Sequence, residues 1–238
     1  MVEMVLEAEQ DLDVPPMKKF RGFVDALKCS KRDRIFIELL YLTGSRCSEL
    51  LTKTTPYELK EGKSKPYGKL LQWELQNYTK SDGTKIKLLL LKLGVAKRSK
   101  KKDTEENKIV VKTRVIPIPL DPKIEPWCIG ILKWLAEKKK LNFDFCRMTA
   151  QNVVKKHLQA LDPEVYPHKL RHWRCTHLVR AYSFTPLQLC SFVGWSLKSM
   201  SSQMGINISS NVDVYLHLAW RDYIDKLLIP IQEVIYLP

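Results

Sequence analysis

Three β-prone runs, at 70–79, 86–96 and 108–118, sit between stretches of helical periodicity on either side. Ser81-Asp82-Gly83 has the chemistry of a tight turn and joins the first two runs as an antiparallel hairpin. From Lys97 to Lys102 five residues in six are basic, which marks a solvated tip between the second and third runs. Pro117 and Pro119 are expected to end the third. The fold class this predicts is mainly α with a small, three-stranded antiparallel β-sheet.

The flanking segments read as helices. Residues 1–16 form an acidic lead-in closed by Pro15-Pro16, and 17–28 carry Phe20, Phe23, Val24 and Leu27 at amphipathic spacing. Ser30 with Asp33 resembles a capping box, and Gly44 is a natural stop for the helix it opens. The next helix starts around Ser45 and puts Arg46 in its first turn, where the helix dipole disfavours a cation. A bound anion resolves that conflict, because helix N-termini and arginine both favour phosphate. A pairing with Glu49 is the other resolution, and the two are compatible.

Residues 122–141 are expected to be helical, with Trp127, Ile131, Leu132, Trp134 and Leu135 toward a core. Thr149 is expected to cap a further helix ending near Asp162-Pro163. A Pro-initiated helix then runs to about Tyr182, with Leu170, Trp173, His177 and Leu178 inward and with His172 and His177 read as structural. Thr185-Pro186-Leu187-Gln188 opens a helix that Gly194 ends, leaving Trp195 just beyond. Residues 196–210 are Ser-rich, Asn211 can open a helix holding Tyr215, and 227–238 form an apolar tail.

The stretch His168-Lys169-Leu170-Arg171-His172 concentrates the chemistry. Residues three apart on a helix share a face, so His168 and Arg171 can approach one ligand. Arginine grips phosphate oxygens with a planar fork, and imidazole moves protons near neutral pH. The chain also carries 40 Lys and Arg against 26 Asp and Glu, a net charge of +14. That excess fits a polyanionic partner, since neutralising phosphates releases counterions. The six cysteines, at 29, 47, 128, 146, 175 and 190, form no C-x-x-C pair and point to a reducing, cytoplasmic setting. His172, Cys175 and His177 lack a second ligand cluster at zinc spacing. No apolar run reaches the ~18 residues of a membrane span, and no signal peptide is evident.

In order, the chain supplies Thr43-Gly44-Ser45-Arg46-Cys47-Ser48-Glu49-Leu50, a Lys-bearing β-hairpin, His168-Lys169-Leu170-Arg171-His172, Gly194-Trp195-Ser196 and Tyr215. This series resembles the catalytic domain of the tyrosine recombinases, the integrase and Xer family. The first block is similar to the family's first arginine motif, the second to its H-x-L-R-H motif. The third is similar to G-H-S, with Trp in the His position. The resemblance spans about residues 17 to 226, with 1–16 as a lead-in and 227–238 as a tail. It implies a nucleophile, Tyr215, that attacks a DNA phosphodiester to give a 3′-phosphotyrosyl bond and a free 5′-hydroxyl. Arg46 and Arg171 would hold the non-bridging oxygens, His168 would assist proton transfer, and Trp195 would donate its indole N–H to the phosphate. A hairpin lysine would protonate the leaving oxygen: Lys97 before Lys92, with Lys112 a distant third. No metal, cofactor or ATP is implied. The implied partners are duplex DNA and further copies of the chain, as a tetramer on DNA, in a nucleoid-associated location.

The sequence departs from the family at three places. Trp195 and Tyr215 are further apart than usual, which keeps Tyr223 open as an alternative nucleophile. The hairpin is longer than usual. No counterpart of the family's N-terminal helical clamp precedes residue 17, which is compatible with a catalytic fragment, a split integrase or a minimal enzyme. The Lys-rich hairpin suggests an archaeal virus or plasmid integrase. Two further readings stay open: DNA relaxation of the type IB topoisomerase kind, and a DNA-binding remnant that no longer cuts.

Overall fold

In the computed structural model of the chain, residues 14–51, 70–95, 113–138, 143–195 and 219–234 are described. Their elements are helices α1 (Met17–Asp25), α2 (Lys31–Thr43) and α3 (Cys47–Leu50), strands β1 (Leu70–Thr79), β2 (Lys85–Gly94) and β3 (Thr113–Pro119), and helices α4 (Cys128–Lys138), α5 (Arg147–Leu158), α6 (Pro167–Tyr182) and α7 (Pro186–Val193). A short 3-10 turn (Trp220–Asp222) and α8 (Ile224–Leu227) follow. The architecture is mixed α+β with one small antiparallel sheet, ordered β1-β2-β3.

The hairpin forms where the turn residues put it. Gly83 takes a φ of 83°, open to glycine at no steric cost, and its N–H donates to Lys80 O. Asp82 accepts from Thr84 N–H at 2.8 Å. Leu89 then lies opposite both Leu75 of β1 and Ile118 of β3. The third strand ends at Pro119, as expected, whereas Pro117 lies inside it; Pro119 sits opposite Leu88 and Pro117 opposite Leu90. β3 is an edge strand, and an edge tolerates proline where its missing N–H faces away from the partner.

Helices pack over this sheet. Leu88 to Leu91 of β2 are all buried, so both faces of the central strand are covered. α2 carries Ile35, Phe36, Leu39 and Leu40 into the core, where Phe36 meets Phe143 and Phe145 edge-on. Ser30 caps α2 by accepting from Asp33 N–H at 3.1 Å, and Gly44 closes it in the left-handed region. Arg21 and Glu125 form a buried, two-pronged ion pair at 2.7 and 2.8 Å, with the guanidinium 4.4 Å from the Trp127 ring centroid.

Some boundaries differ from the sequence expectation. α1 stops at Asp25 rather than 28, and α4 begins only at Cys128, because Asp121 and Glu125 organise a turn before it. α5 starts at Arg147 with Cys146 as its N-cap, not at Thr149. Thr149 sits in the first turn instead, its hydroxyl 3.4 Å from Cys146 Sγ. The helix also ends earlier than expected, at Leu158. The described part of the apolar tail packs on its own chain: Leu227, Leu228 and Val234 are buried, and Ile231 N–H donates to Lys123 O at 3.0 Å. The basic tip 97–102 and the expected helix from Asn211 lie outside the described residues. Among the described residues no helix is long and apolar enough to cross a membrane, and none of the six cysteines is in a disulfide.

His177 is a core group, as its position on α6 suggested. Its Nδ1 lies 2.7 Å from the Tyr41 hydroxyl and its Nε2 2.9 Å from Pro15 O. The carbonyl can only accept, so Nε2 carries the proton and Nδ1 accepts from Tyr41. Burial pushes the His177 pKa down to about 4, opposed by the Pro15 carbonyl and helped by Arg174, Arg21 and Arg180. An unfolded histidine titrates near 6.5. Between pH 6.5 and 4 the unfolded chain therefore binds a proton that the folded chain does not, and stability falls as pH falls. The stability difference between wild type and His177→Gln, read from urea unfolding, should shift against wild type by roughly 3 kcal/mol from pH 7 to pH 4. A difference constant with pH would show that His177 is not held neutral.

Candidate functional site

Gly44 ends α2 with φ 55°, and the chain turns at once into α3, a single helical turn. Arg46 is its N-cap residue. A guanidinium has no acceptor and cannot cap first-turn N–H groups. The acid supplies the local bonds instead: Glu49 accepts from Arg46 N–H at 3.2 Å through Oε2 and from the Arg46 guanidinium at 3.3 Å through Oε1. Arg46 keeps part of its side chain in solvent, whereas Glu49 is fully buried.

Glu49 is shared with a second arginine that sequence reasoning missed. Arg114, on β3, donates through Nη2 to Glu49 Oε2 and to Ser45 Oγ, each at 3.0 Å. Its Nη1 donates to Thr43 O at 2.9 Å and also to Phe192 O. The signal was present in the strand alternation: Arg114 is in phase with Ile116 and Ile118, so a cation occupies the buried face of β3.

Arg171, on α6, joins the same region from the other side of the sequence. Nη1 donates to Gly44 O at 2.5 Å and Nη2 to Val193 O at 2.9 Å. Its Cζ lies 5.4 Å from the Trp195 ring centroid, within cation–π range. Arg171 is only 1% exposed. Burial lowers its pKa to about 10, helped by Arg114 and Arg46 and opposed by Glu49. It remains a cation at neutral pH.

Trp195 owes its place to Gly194, which takes φ 72°. A Cβ there would lie 2.9 Å from Val95 Cγ2 and 3.1 Å from Arg114 Cδ, so only glycine fits both the conformation and the space. Trp195 N–H then donates to Cys190 O at 3.0 Å and closes α7.

Arg46 and His168 line one open pocket of about 380 Å³, together with Ser48, Arg147, Gln151 and Tyr166. Partial burial pushes the His168 pKa down to about 4, with His172, Arg171 and Arg46 acting in the same direction. The His168 and His172 rings meet edge-on, 4.7 Å between centroids. The pocket thus presents arginine cations and an imidazole that is neutral at pH 7, an arrangement suited to an anion.

Of the expected site residues, the fold brings Arg46 and His168 to one pocket and sets Arg171 against Trp195 beside Gly44. Arg171 does not line that pocket. Lys97, Lys112 and Tyr215 lie outside the described residues. Lys92 is exposed on β2, opposite Gln72 and Val115. Tyr223 is 2% exposed, donates to Val115 O at 3.1 Å and packs on Phe184 and Phe192. Burial pushes its pKa well up, so it is a core aromatic and not an available nucleophile. Arg147 and Tyr166 had no sequence signal of their own; only the approach of α5 to the start of α6 reveals them.

No family model matches the chain, and no curated protein matches it.

Arg114→Met should destabilise the protein by roughly 3 kcal/mol, because it removes one partner of a buried ion pair. Adding Glu49→Gln to that variant should recover part of the loss in urea unfolding. A double variant no better than the single one would deny the ion pair its role. Arg46→Ala should raise the His168 pKa, read by NMR titration, because a nearby cation has been removed.

Proposed function

We propose that the protein breaks and rejoins duplex DNA through a 3′-phosphotyrosyl intermediate, as a site-specific recombinase of the tyrosine recombinase kind. The observation that carries the reading is that Arg46 and His168, from two motifs more than a hundred residues apart, face the same pocket. The excess of 40 basic over 26 acidic residues supports a polyphosphate substrate.

In this reading a phosphodiester enters the pocket and takes hydrogen bonds from the Arg46 guanidinium. Its charge offsets the Arg46 and Arg171 cations, which raises the His168 pKa from about 4 toward the useful range. His168 then accepts the phenolic proton as the Tyr215 oxygen attacks phosphorus. The bond from phosphorus to the 5′-oxygen breaks, and that oxygen takes a proton from a hairpin lysine, with Lys97 the first choice. Arg171, held against Gly44, Val193 and Trp195, contributes positive potential and fixes the loop that carries Arg46. The phosphotyrosyl bond conserves the energy of the broken linkage, so resealing needs no ATP. Strand exchange between two duplexes needs further copies of the chain, which makes a tetramer on DNA the expected working form.

One observation favours a second reading, a DNA-binding protein that does not cut. Arg171 is buried and its guanidinium is engaged by two main-chain carbonyls. A cation tied in this way supports the fold without touching a phosphate.

Covalent trapping on nicked suicide duplexes, resolved on denaturing gels, separates the two. The recombinase reading expects an adduct that Tyr215→Phe abolishes and that Arg46→Ala reduces by roughly 10²-fold. Tight binding without any adduct would leave the non-cutting reading. Relaxation of supercoiled plasmid without paired sites would move the activity to the topoisomerase kind.

A further inference from the structure

Tyr166 is the N-cap residue of α6. Ser, Thr, Asp and Asn are favoured at that position because their short side chains accept hydrogen bonds from first-turn N–H groups. Tyr166 makes no such bond. Its ring is not used as core either: it is 48% exposed. The chain thus forgoes a cap and leaves a large aromatic face in water. Nothing among the described residues accounts for either choice.

The pocket does. Tyr166 lines it with Arg46, Arg147 and His168, so an aromatic face and two guanidinium-bearing side chains border one opening. The volume, about 380 Å³, falls in the range of small-ligand sites, about 300–1,000 Å³. Base stacking on exposed aromatics combined with cationic contacts to the backbone is how single-stranded nucleic acid is held without sequence preference.

We propose that Tyr166 is a stacking platform for one unpaired nucleobase of a DNA strand, with that nucleotide's phosphate held between Arg46 and Arg147. The proposal rests on the DNA reading above for its polymer and adds a base-binding subsite to it. The ring recognises the π-face common to all bases, so it holds a nucleotide freed from the stack without choosing its identity. A nick or a frayed end supplies such a nucleotide.

The test uses the full chain and a short single-stranded deoxyoligonucleotide carrying one 2-aminopurine, beside the same oligonucleotide with an abasic site there. With wild type, binding should quench the 2-aminopurine fluorescence, and the abasic strand should bind about tenfold more weakly. Tyr166→Ser should raise the melting temperature by a few degrees, because serine caps α6. The same variant should lose the quenching and bind both strands with the wild-type abasic affinity. Tyr166→Phe should keep both quenching and affinity. Unchanged binding by Tyr166→Ser, or equal loss in Tyr166→Phe, overturns the proposal; the latter places recognition on the hydroxyl instead. These are equilibrium readings that need no cleavage. Quenching without a covalent adduct on suicide duplexes sinks the recombinase reading alone, and an adduct without Tyr166-dependent quenching sinks the subsite alone.

Discussion

The Arg114 guanidinium joins three parts of the chain that are distant in sequence: the Thr43–Ser45 turn, the end of α7 at Phe192, and Glu49 on α3. An arginine on the buried face of a strand carries a large desolvation cost, which only hydrogen bonds and a counter-charge offset. Arg114 meets both needs at once. The result is that the turn after α2 and the turn after α7 are held to the sheet by one side chain. Glu49 is set between Arg114 and Arg46, so the orientation of the partly exposed Arg46 depends on a residue of β3. Arg171 completes the arrangement by binding Gly44 O and Val193 O, the neighbours of two of the same anchor points.

This arrangement has an electrostatic consequence. Arg46, Arg114 and Arg171 lie close enough to affect one another, and the His168 and Arg171 pKa values are both lowered. Glu49 balances only part of that charge. Without an anion, the fold holds like charges near one another in a region of reduced solvation, where repulsion is weakly screened. An anion that reaches the Arg46 and His168 pocket relieves this repulsion as well as making its own hydrogen bonds. Binding and stability are therefore linked, and a ligand that prefers the folded chain stabilises it by mass action.

Local signals in the sequence located most of the framework. The Ser30 cap, the Gly44 and Gly194 stops, the Thr185 capping box and the turn at Ser81-Asp82-Gly83 are each set by a few adjacent residues, and each is found where that chemistry puts it. The errors arise where distant parts of the chain decide. Pro117 reads as a strand end until the strand is known to be an edge. Thr149 reads as an N-cap until its hydroxyl is seen beside Cys146 Sγ. The site divides in the same way. Arg46 and His168 were legible from their motifs, and the pairing of Arg46 with Glu49 from their spacing. Arg114 was visible only as a cation in phase with Ile116 and Ile118. Arg147 and Tyr166 depend on how two helices approach, which no local spacing encodes. The buried state of Arg171 also follows from tertiary packing, not from the helix face it occupies.

The close fit at Gly194 carries a mechanical implication. Val95 directly follows β2, and its side chain fills the space that a Cβ on residue 194 would need. Arg114 Cδ borders the same point from β3. Neither strand end can be displaced inward without pushing the Gly194 backbone, and Trp195 is the next residue. The hairpin end therefore works as a lever on the indole that faces Arg171. A load applied to either strand end would reach that ring through one glycine.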